Sequence, residues 1–268
     1  MHQALMKHML TKCMNKCNTK AHPFTKTLLM PMYSNIQKKE RPEQNVPTYS
    51  LNKVSQSHLP QDQELNNQER EQNNPASATF NNKLDASISL TFRKEEGKSR
   101  LVSRDHFGQL CVQKPFYPEG PEVCHIVIVH PPGGVVGGDR LALASHVGAA
   151  ANVQITTPGA AKWYKANGHI SYQNVQLDVG AGGALEWLPQ ETIFFDNAHV
   201  ELDHNVALAK DSTYIGCEIF CFGRTAFGES FNGGRIRQQV NIRRDEQLLW
   251  HEQLNLVGGG MGMKNPLV

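Results

Sequence analysis

The chain has 268 residues, of which 39% are hydrophobic, and its formal net charge at pH 7 is +2. This small charge argues against a nucleic-acid partner, because phosphate binding needs clustered Lys and Arg side chains. No run of about 18 apolar residues occurs, so a membrane-spanning helix is excluded and no membrane partner is expected. The length allows one large domain or two ordinary ones.

Residues 1–80 are polar and rich in Asn, Gln, Lys and Met. Such a composition buries too little apolar surface to offset the entropy lost on ordering. The first acidic residue is Glu40, which gives the opening stretch some transit-peptide character, but it carries Lys rather than Arg and little Ser. We therefore predict a disordered polar tail over residues 1–80, or a start codon placed too early, with order beginning near Asp85.

The cysteine pattern favours a reducing compartment. The N-terminus is basic, but Lys7 and His8 interrupt its apolar residues, so the continuous core of a signal peptide is missing. The last four of the six cysteines lie in apolar, strand-like stretches, where free Cys usually packs as a small buried hydrophobe; they are Cys111, Cys124, Cys217 and Cys221. We predict a cytoplasmic protein.

From residue 84 onward the hydrophobic pattern has a period of two. Ile88, Leu90 and Phe92 alternate with small polar residues, and the segments 175–179 and 236–242 repeat this alternation. Positions 200, 202, 205 and 208 form a less regular example. Gly, Pro, Asn and Asp interrupt the runs about every 8–12 residues, as expected of an all-β sandwich, barrel or solenoid. The sequence predicts an all-β domain of many short strands and few helices over residues 84–268.

A glycine-rich loop with the sequence HPPGGVVGGD occupies residues 130–139. A phosphate-binding loop would need a Gly-Lys-Ser/Thr or G-x-G-x-x-G sequence followed by a helix, and none of these is present. The glycines instead predict a tight hairpin, because they tolerate positive φ and close approach of the backbone. Asp139 stands apart, since a turn does not need a carboxylate between a glycine pair and an Arg.

Several other carboxylates lie among apolar residues. Glu186 and Glu191 flank an aromatic, proline-containing segment and could serve as the acid and base of a glycoside hydrolase, which needs two facing carboxylates. Glu218 and Glu252 also have apolar neighbours. A buried carboxylate is costly unless it is paired or bound to metal. For any one of these residues, however, a solvated strand edge is the commoner explanation.

No closed metal site is predicted. The cysteine pairs at 13 and 17 and at 217 and 221 have three residues between them rather than the two typical of structural zinc sites. His125 and His130 are an odd number of residues apart, so on one strand they would point to opposite faces. No permanently bound cofactor is therefore expected.

Taken together, the motifs resemble the urease accessory protein UreD (UreH) family. The most recognisable block is HPPGGVVGGD, and GQLCVQKPFYPEG precedes it. Further blocks follow in the family order. The five blocks lie at residues 108–120, 130–139, 156–164, 185–196, and 223–224 with 228–231.

This resemblance implies an elongated, two-layer, β-helix-like fold and a role in urease maturation. A family member is expected to be a non-enzymatic scaffold that binds apo-urease and, through UreF, the GTPase UreG. Nickel is expected in transit along a polar interior route. The residues that match that route here are Asp139, Glu218 and Glu252.

Two features depart from the family pattern. The polar tail is not part of it, and the family continues beyond residue 256 with further strands and a helical segment. The sequence thus predicts a UreD-like domain that is truncated at its C-terminal end. The alternative function is a carboxylate-based hydrolase that uses Glu186 and Glu191.

Overall fold

Strands form nearly all of the regular structure. A computed structural model describes residues 25–31 and 85–264, and these residues belong to one compact unit. The described residues contain fifteen strands and two 3-10 helices, Thr225–Phe227 and Met261–Lys264. The strands are β1 Thr25–Pro31, β2 Asp85–Glu95, β3 Lys98–Phe107, β4 Cys111–Val112, β5 Val123–Val129, β6 Arg140–Val147, β7 Asn152–Thr156, β8 Ala161–Trp163, β9 Ser171–Val179, β10 Ala184–Leu188, β11 Thr192–Phe194, β12 His199–Leu208, β13 Thr213–Phe222, β14 Arg235–Arg244 and β15 Gln247–Val257. The predicted all-β class is confirmed.

The strands form two sheets between which the chain passes repeatedly. Sheet A has the order β4-β5-β7-β10-β13-β11-β8, with β1 also paired to β13, and sheet B has the order β15-β14-β12-β9-β6-β2-β3. Successive coils contribute β5 and β6, then β7, β8 and β9, then β10, β11 and β12, then β13 and β14. Parallel neighbours need a long connection between them, and here a strand of the opposite sheet supplies it. The fold is therefore a two-sheet β-solenoid.

Each coil places equivalent residues next to one another, so the core is built from ladders of side chains. In sheet A, Val135 pairs with Trp163, Trp163 with Phe194, and Phe194 with Phe222. All four are buried. Phe194 packs edge-on against Phe220 and stacks on Phe222. Burial of such large side chains supplies most of the stabilisation of a coil.

The alternation of polar and apolar residues decides which side chains enter the core. In β2 the residues Ile88, Leu90 and Phe92 are buried, as the period of two predicts. In β12 the buried positions are 200, 202, 204, 206 and 208. Val200, Leu202 and Leu208 are thus buried as the sequence pattern predicted, whereas Asn205 is only partly buried and the buried residue between Leu202 and Val206 is polar His204.

Both outer edges of sheet B are antiparallel hairpins. β2 pairs with β3, and β14 pairs with β15. Each hairpin contains a register shift, between Thr91 and Phe92 in the first and between Ile242 and Arg243 in the second. The parallel strands of sheet B therefore lie between β3 and β15, which run antiparallel to them.

The predicted tail is mostly outside the described residues. One part of it, β1, pairs antiparallel with β13 over the register from Thr25↔Cys221 to Pro31↔Ile215. The rest of the disorder prediction stays a prediction. None of the helical segments in the described part of the chain has the length and apolar character needed to cross a membrane.

Candidate functional site

A cavity of about 290 Å³ lies between the two sheets. Sheet A contributes Ile128 and Trp187 to its wall, and sheet B contributes Leu141 and Gln173. The glycine-rich loop lines one part of it, and Glu218 lines another. The cavity therefore connects the signature loop with a carboxylate of the last parallel coil.

The glycine-rich loop crosses from sheet A to sheet B. It joins β5 to β6, which lie in different sheets, so the predicted hairpin was wrong. Val135 holds the loop to the next coil, because its N–H donates to the Lys162 carbonyl and its own carbonyl accepts from the Tyr164 N–H, each at 2.8 Å. A Cβ on Gly134 would lie 2.2 Å from the Tyr164 ring. Glycine is needed there because the ring packs directly on the backbone.

The buried side chain of Asp139 stabilises the last turn of this loop. The residue is only 2% exposed, and its Oδ2 accepts a hydrogen bond from the Val136 N–H at 3.0 Å. The Ser171 hydroxyl donates to the Val136 carbonyl at 2.8 Å. Asp139 thus holds the turn that follows the cavity-lining Gly133 and Gly134, and Asp139 itself is not part of the cavity wall.

Glu218 is the best-supported carboxylate in the interior. Its Oε2 accepts from Gln238 Nε2 at 2.7 Å, and its Oε1 accepts from Trp187 Nε1 at 3.2 Å. His204 Nδ1 lies 3.3 Å from the same Oε1. Burial by itself would raise the pKa of Glu218, but the His204 charge and these hydrogen bonds outweigh it and lower that pKa below its usual value. The carboxylate is therefore held in its charged form.

His204 links Glu218 to a second buried group. Its Nε2 lies 3.1 Å from the Tyr214 hydroxyl, and its ring packs edge-on against Trp187. Burial raises the pKa of Tyr214 well above its usual value, and the nearby Glu218 charge adds to this effect. The result is a connected polar chain inside an otherwise apolar coil.

Glu252 lies further along the same solenoid axis. It is partly buried and pairs with Val240, which pairs with His204 on its other side. Neighbouring strands lie about 4.8 Å apart, so Glu252 and His204 are separated by roughly 10 Å along the axis. Of the three predicted route residues, Glu218 lines the cavity, and Asp139 and Glu252 are not part of its wall.

The two carboxylates of the hydrolase alternative lie elsewhere. Glu186 lies on β10 between the buried residues Leu185 and Trp187, so it faces away from the core. Glu191 lies between β10 and β11, where its carbonyl accepts from the Ala161 N–H at 2.8 Å. Neither is part of the wall of the interior cavity.

Sequence reasoning missed the partners of Glu218. His204, Trp187 and Gln238 come from three different strands. One signal was present: His204 and Gln238 are polar residues at inward positions of otherwise alternating strands. The residues that the structure describes contain no group of three or more His, Cys, Asp or Glu side chains placed to hold a metal ion. The four described cysteines are free thiols.

Comparison with known proteins identifies the family. The family model described as UreD urease accessory protein matches residues 84–268. A protein named urease accessory protein UreD from Nitrosospira multiformis is 56% identical over 184 residues, which cover 69% of this chain and 66% of that protein. Proteins of the same name from a Janthinobacterium species and from Nitrosococcus oceani are 56% and 46% identical over 71% and 68% of this chain.

The chain spans slightly less than two thirds of the length of these relatives, between 62% and 66%. The match nevertheless includes every strand from β2 to β15 and the whole wall of the cavity. The chain belongs to the UreD family of urease accessory proteins.

Proposed function

We propose that this protein acts in urease maturation as a scaffold without turnover of its own. In this proposal it binds apo-urease and the complex of UreF with the GTPase UreG in the cytoplasm, and nickel passes through it as cargo. The name shared by its relatives, urease accessory protein UreD, supports the role in maturation.

The observation that carries the proposal is the cavity between the two sheets, whose wall includes the buried carboxylate Glu218. A divalent cation that moves through a protein must exchange water for other oxygen or nitrogen ligands. A carboxylate can provide such a ligand, and its low pKa keeps Glu218 charged near neutral pH. Transport also requires that the ion be released again. Glu218 meets this requirement because Trp187, Gln238 and His204 compete with the ion for its oxygens.

Asp139 and Glu252 have different parts in this proposal. Asp139 holds the glycine-rich loop at one end of the cavity through the Val136 N–H, so it sets the shape of that end. Glu252, partly exposed on β15, would receive the ion after Glu218. The ion would therefore move along the solenoid axis, from the first coil toward β15.

Isosteric substitutions test the route. We expect Asp139→Asn, Glu218→Gln and Glu252→Gln to assemble with UreF and apo-urease but to yield urease that contains less nickel, because the amide keeps the shape and removes the charge. Glu246→Gln, an exposed change in the turn between β14 and β15, is the matched control. The measurement is the metal content of urease purified after co-expression, beside a pull-down of the complex.

Three results would contradict the proposal. Full nickel loading in all three variants would exclude the route. Loss of the complex itself would show that the carboxylates support the fold rather than the passage of nickel. A nickel deficit in the Glu246→Gln control would mean that any surface charge has the same effect, which would also remove the argument for an interior path.

A further inference from the structure

Three aromatic rings and one guanidinium form a continuous row on the protein surface. The Tyr164 and Phe195 rings pack edge-on, with their centroids 4.8 Å apart. The Arg224 Cζ lies 4.5 Å from the centroid of Phe195 and 5.9 Å from that of Phe227. Tyr164 and Phe195 are half-buried, and Arg224 and Phe227 are exposed. We call these four residues the aromatic row, and the route described above uses none of them.

Phe227 projects from this row into solvent, with 82% of its surface exposed. A single exposed apolar side chain is common and indicates nothing by itself. Here, however, the backbone fixes the residue, because its N–H donates to the Arg224 carbonyl at 2.7 Å and the Gly228 N–H donates to the Thr225 carbonyl at 3.0 Å. Gly228 has a φ of 71°, which favours glycine and ends the 3-10 turn. The ring is therefore presented on a preorganised turn.

An ion pair closes the same turn. Arg224 Nε donates to Glu229 Oε2 at 2.9 Å, and Nη2 donates to the same oxygen. The hydrogen bonds from Arg224 hold the pKa of Glu229 below its usual value, so the pair stays charged near neutral pH. Glu229 Oε1 accepts from the Asp196 N–H at 3.0 Å, and Asp196 Oδ1 accepts from the N–H groups of Asn232 and Gly233. Both carboxylates are thus engaged within the protein.

The exposed groups of the row define the chemistry of a partner. Two of the three guanidinium nitrogens of Arg224 donate to Glu229, so Nη1 can donate to a carboxylate or carbonyl oxygen of the partner. Phe227 requires an apolar pocket. Aromatic and Arg side chains contribute most of the energy in many protein interfaces, and a preorganised turn loses little entropy on binding. The row therefore fits a protein surface that has an apolar pocket beside an acceptor oxygen.

The position of the row in the fold indicates which partner it binds. The turn Thr225–Phe227 connects β13 to β14 in the last parallel coil, and β15 follows β14. In the proposed function nickel moves along the solenoid axis toward β15. A protein that receives nickel would therefore dock at this end.

We infer that the aromatic row is a docking site for apo-urease, in which Phe227 is the anchor in an apolar pocket and Arg224 donates to a carboxylate at the rim of that pocket. This choice of partner rests on the proposed function.

Binding of purified apo-urease to the full 268-residue chain, measured by biolayer interferometry, tests the row. We expect Phe227→Ala to raise the dissociation constant about thirtyfold, as for an interface hot spot. Because Phe227 is exposed, its truncation should leave the melting temperature unchanged. Phe107→Ala is the matched control, since Phe107 is 66% exposed at the end of β3, on the opposite edge of sheet B from β15. It should leave the dissociation constant unchanged.

A second pair of variants tests the guanidinium. Arg224→Lys keeps the charge but loses the planar fork and its stacking on the rings. We expect it to raise the dissociation constant about tenfold, as Arg224→Ala does. Arg100→Ala, which removes the exposed partner of Glu95 on β3, is the control and should have no effect. Wild-type affinity in Arg224→Ala would contradict the role of this residue as a donor.

Three outcomes would overturn the inference. In the first, Phe227→Ala binds apo-urease as tightly as wild type. In the second, Phe227→Ala loses UreF and keeps apo-urease, which would assign the row to the other partner. In the third, wild type forms a dimer that Phe227→Ala abolishes while apo-urease binding is unchanged, which would make the row an interface between copies of this chain.

The same measurements separate the inference from the proposed function. If the wild-type chain binds neither apo-urease nor UreF, the proposed function fails and the docking site fails with it. If wild type binds apo-urease and Phe227→Ala binds it equally, the proposed function stands and the docking site alone is excluded.

Discussion

Two neighbouring ladders of inward side chains cross sheet B, and their chemistry differs. The apolar ladder contains Leu90, Ser145, Leu177, Val206 and Ile242, and it ends at Trp250 on β15, which is exposed. The mixed ladder contains Ile88, Leu143, Val175, His204, Val240 and Glu252. The two have the same backbone geometry, so the strand itself does not decide where polar groups enter the core.

The difference between the two ladders lies in the partners that sheet A offers to their polar side chains. His204 of the mixed ladder meets Glu218 and Tyr214 from sheet A. Ser145 of the apolar ladder is equally buried, but its hydroxyl has no hydrogen-bond partner among the described residues. A polar residue is thus stabilised only where the opposite sheet supplies a matching group. Three substitutions test this comparison, and they follow from the largest expected effect to the smallest.

Leu177→Ala in the apolar ladder should have the largest effect. Leu177 is 1% exposed and sits between the neighbouring coils, so its truncation leaves a cavity. We expect the free energy of unfolding to fall by about 3 kcal/mol, within the range for buried Leu→Ala changes. Urea denaturation measures this value, with Gln176→Ala, an exposed change on the same strand, as the control. A loss equal to that of the control would show that this ladder does not form the core.

Glu218→Gln should reduce the free energy of unfolding by about 2 kcal/mol at pH 7. The two carboxylate oxygens accept hydrogen bonds from Trp187 and Gln238, and the amide nitrogen of Gln would replace one of them and face a donor. The folded-state pKa of Glu218 is lowered, so the carboxylate adds stability above the unfolded pKa of about 4.3. That stability is lost as the pH falls through the folded pKa. The difference in the free energy of unfolding between wild type and Glu218→Gln should therefore shrink below about pH 4. Denaturant midpoints measured across this pH range check it, and a constant difference would contradict the charged pair.

Ser145→Ala should have the smallest effect and the opposite sign. Removing a buried hydroxyl without a partner should raise the free energy of unfolding by about 1 kcal/mol. Ser103→Ala is the control, because its hydroxyl is exposed and donates to Asp105. Denaturation of both variants under the same conditions measures the change. A destabilised Ser145→Ala variant would mean that the Ser145 hydroxyl has a hydrogen-bond partner, such as a buried water molecule, within the apolar ladder.

Residue alternation predicted most strands but not the way they are arranged. The buried residues Val175, Leu177 and Val179 of β9 follow from a period of two. The same alternation also fits a sandwich, so the parallel coiling followed from family resemblance and not from the pattern. In β12 the pattern failed at His204, because hydrophobicity alone gives no reason to place a histidine inside.

The candidate site could be predicted only in part for a related reason. Glu218 was recognisable as a charge within an apolar run. Its partners Trp187, His204 and Gln238 lie 31, 14 and 20 positions away, and they meet only through the register of the coils. Local sequence carries no information about that register. Likewise, the cavity between His130 and Glu218 follows from the spacing of the two sheets rather than from any motif.

The bulged hairpin that carries β3 also bears on self-association. β3 is the outermost described strand on its side of sheet B, and unpaired strand edges tend to recruit further strands. Here the edge carries the exposed residues Lys98, Arg100, Arg104 and Asp105, and the shift after Thr91 disturbs its register. Charge and irregularity both oppose docking of a second molecule at this edge. A fold that grows by adding strands is thereby kept from polymerising into fibres at this end.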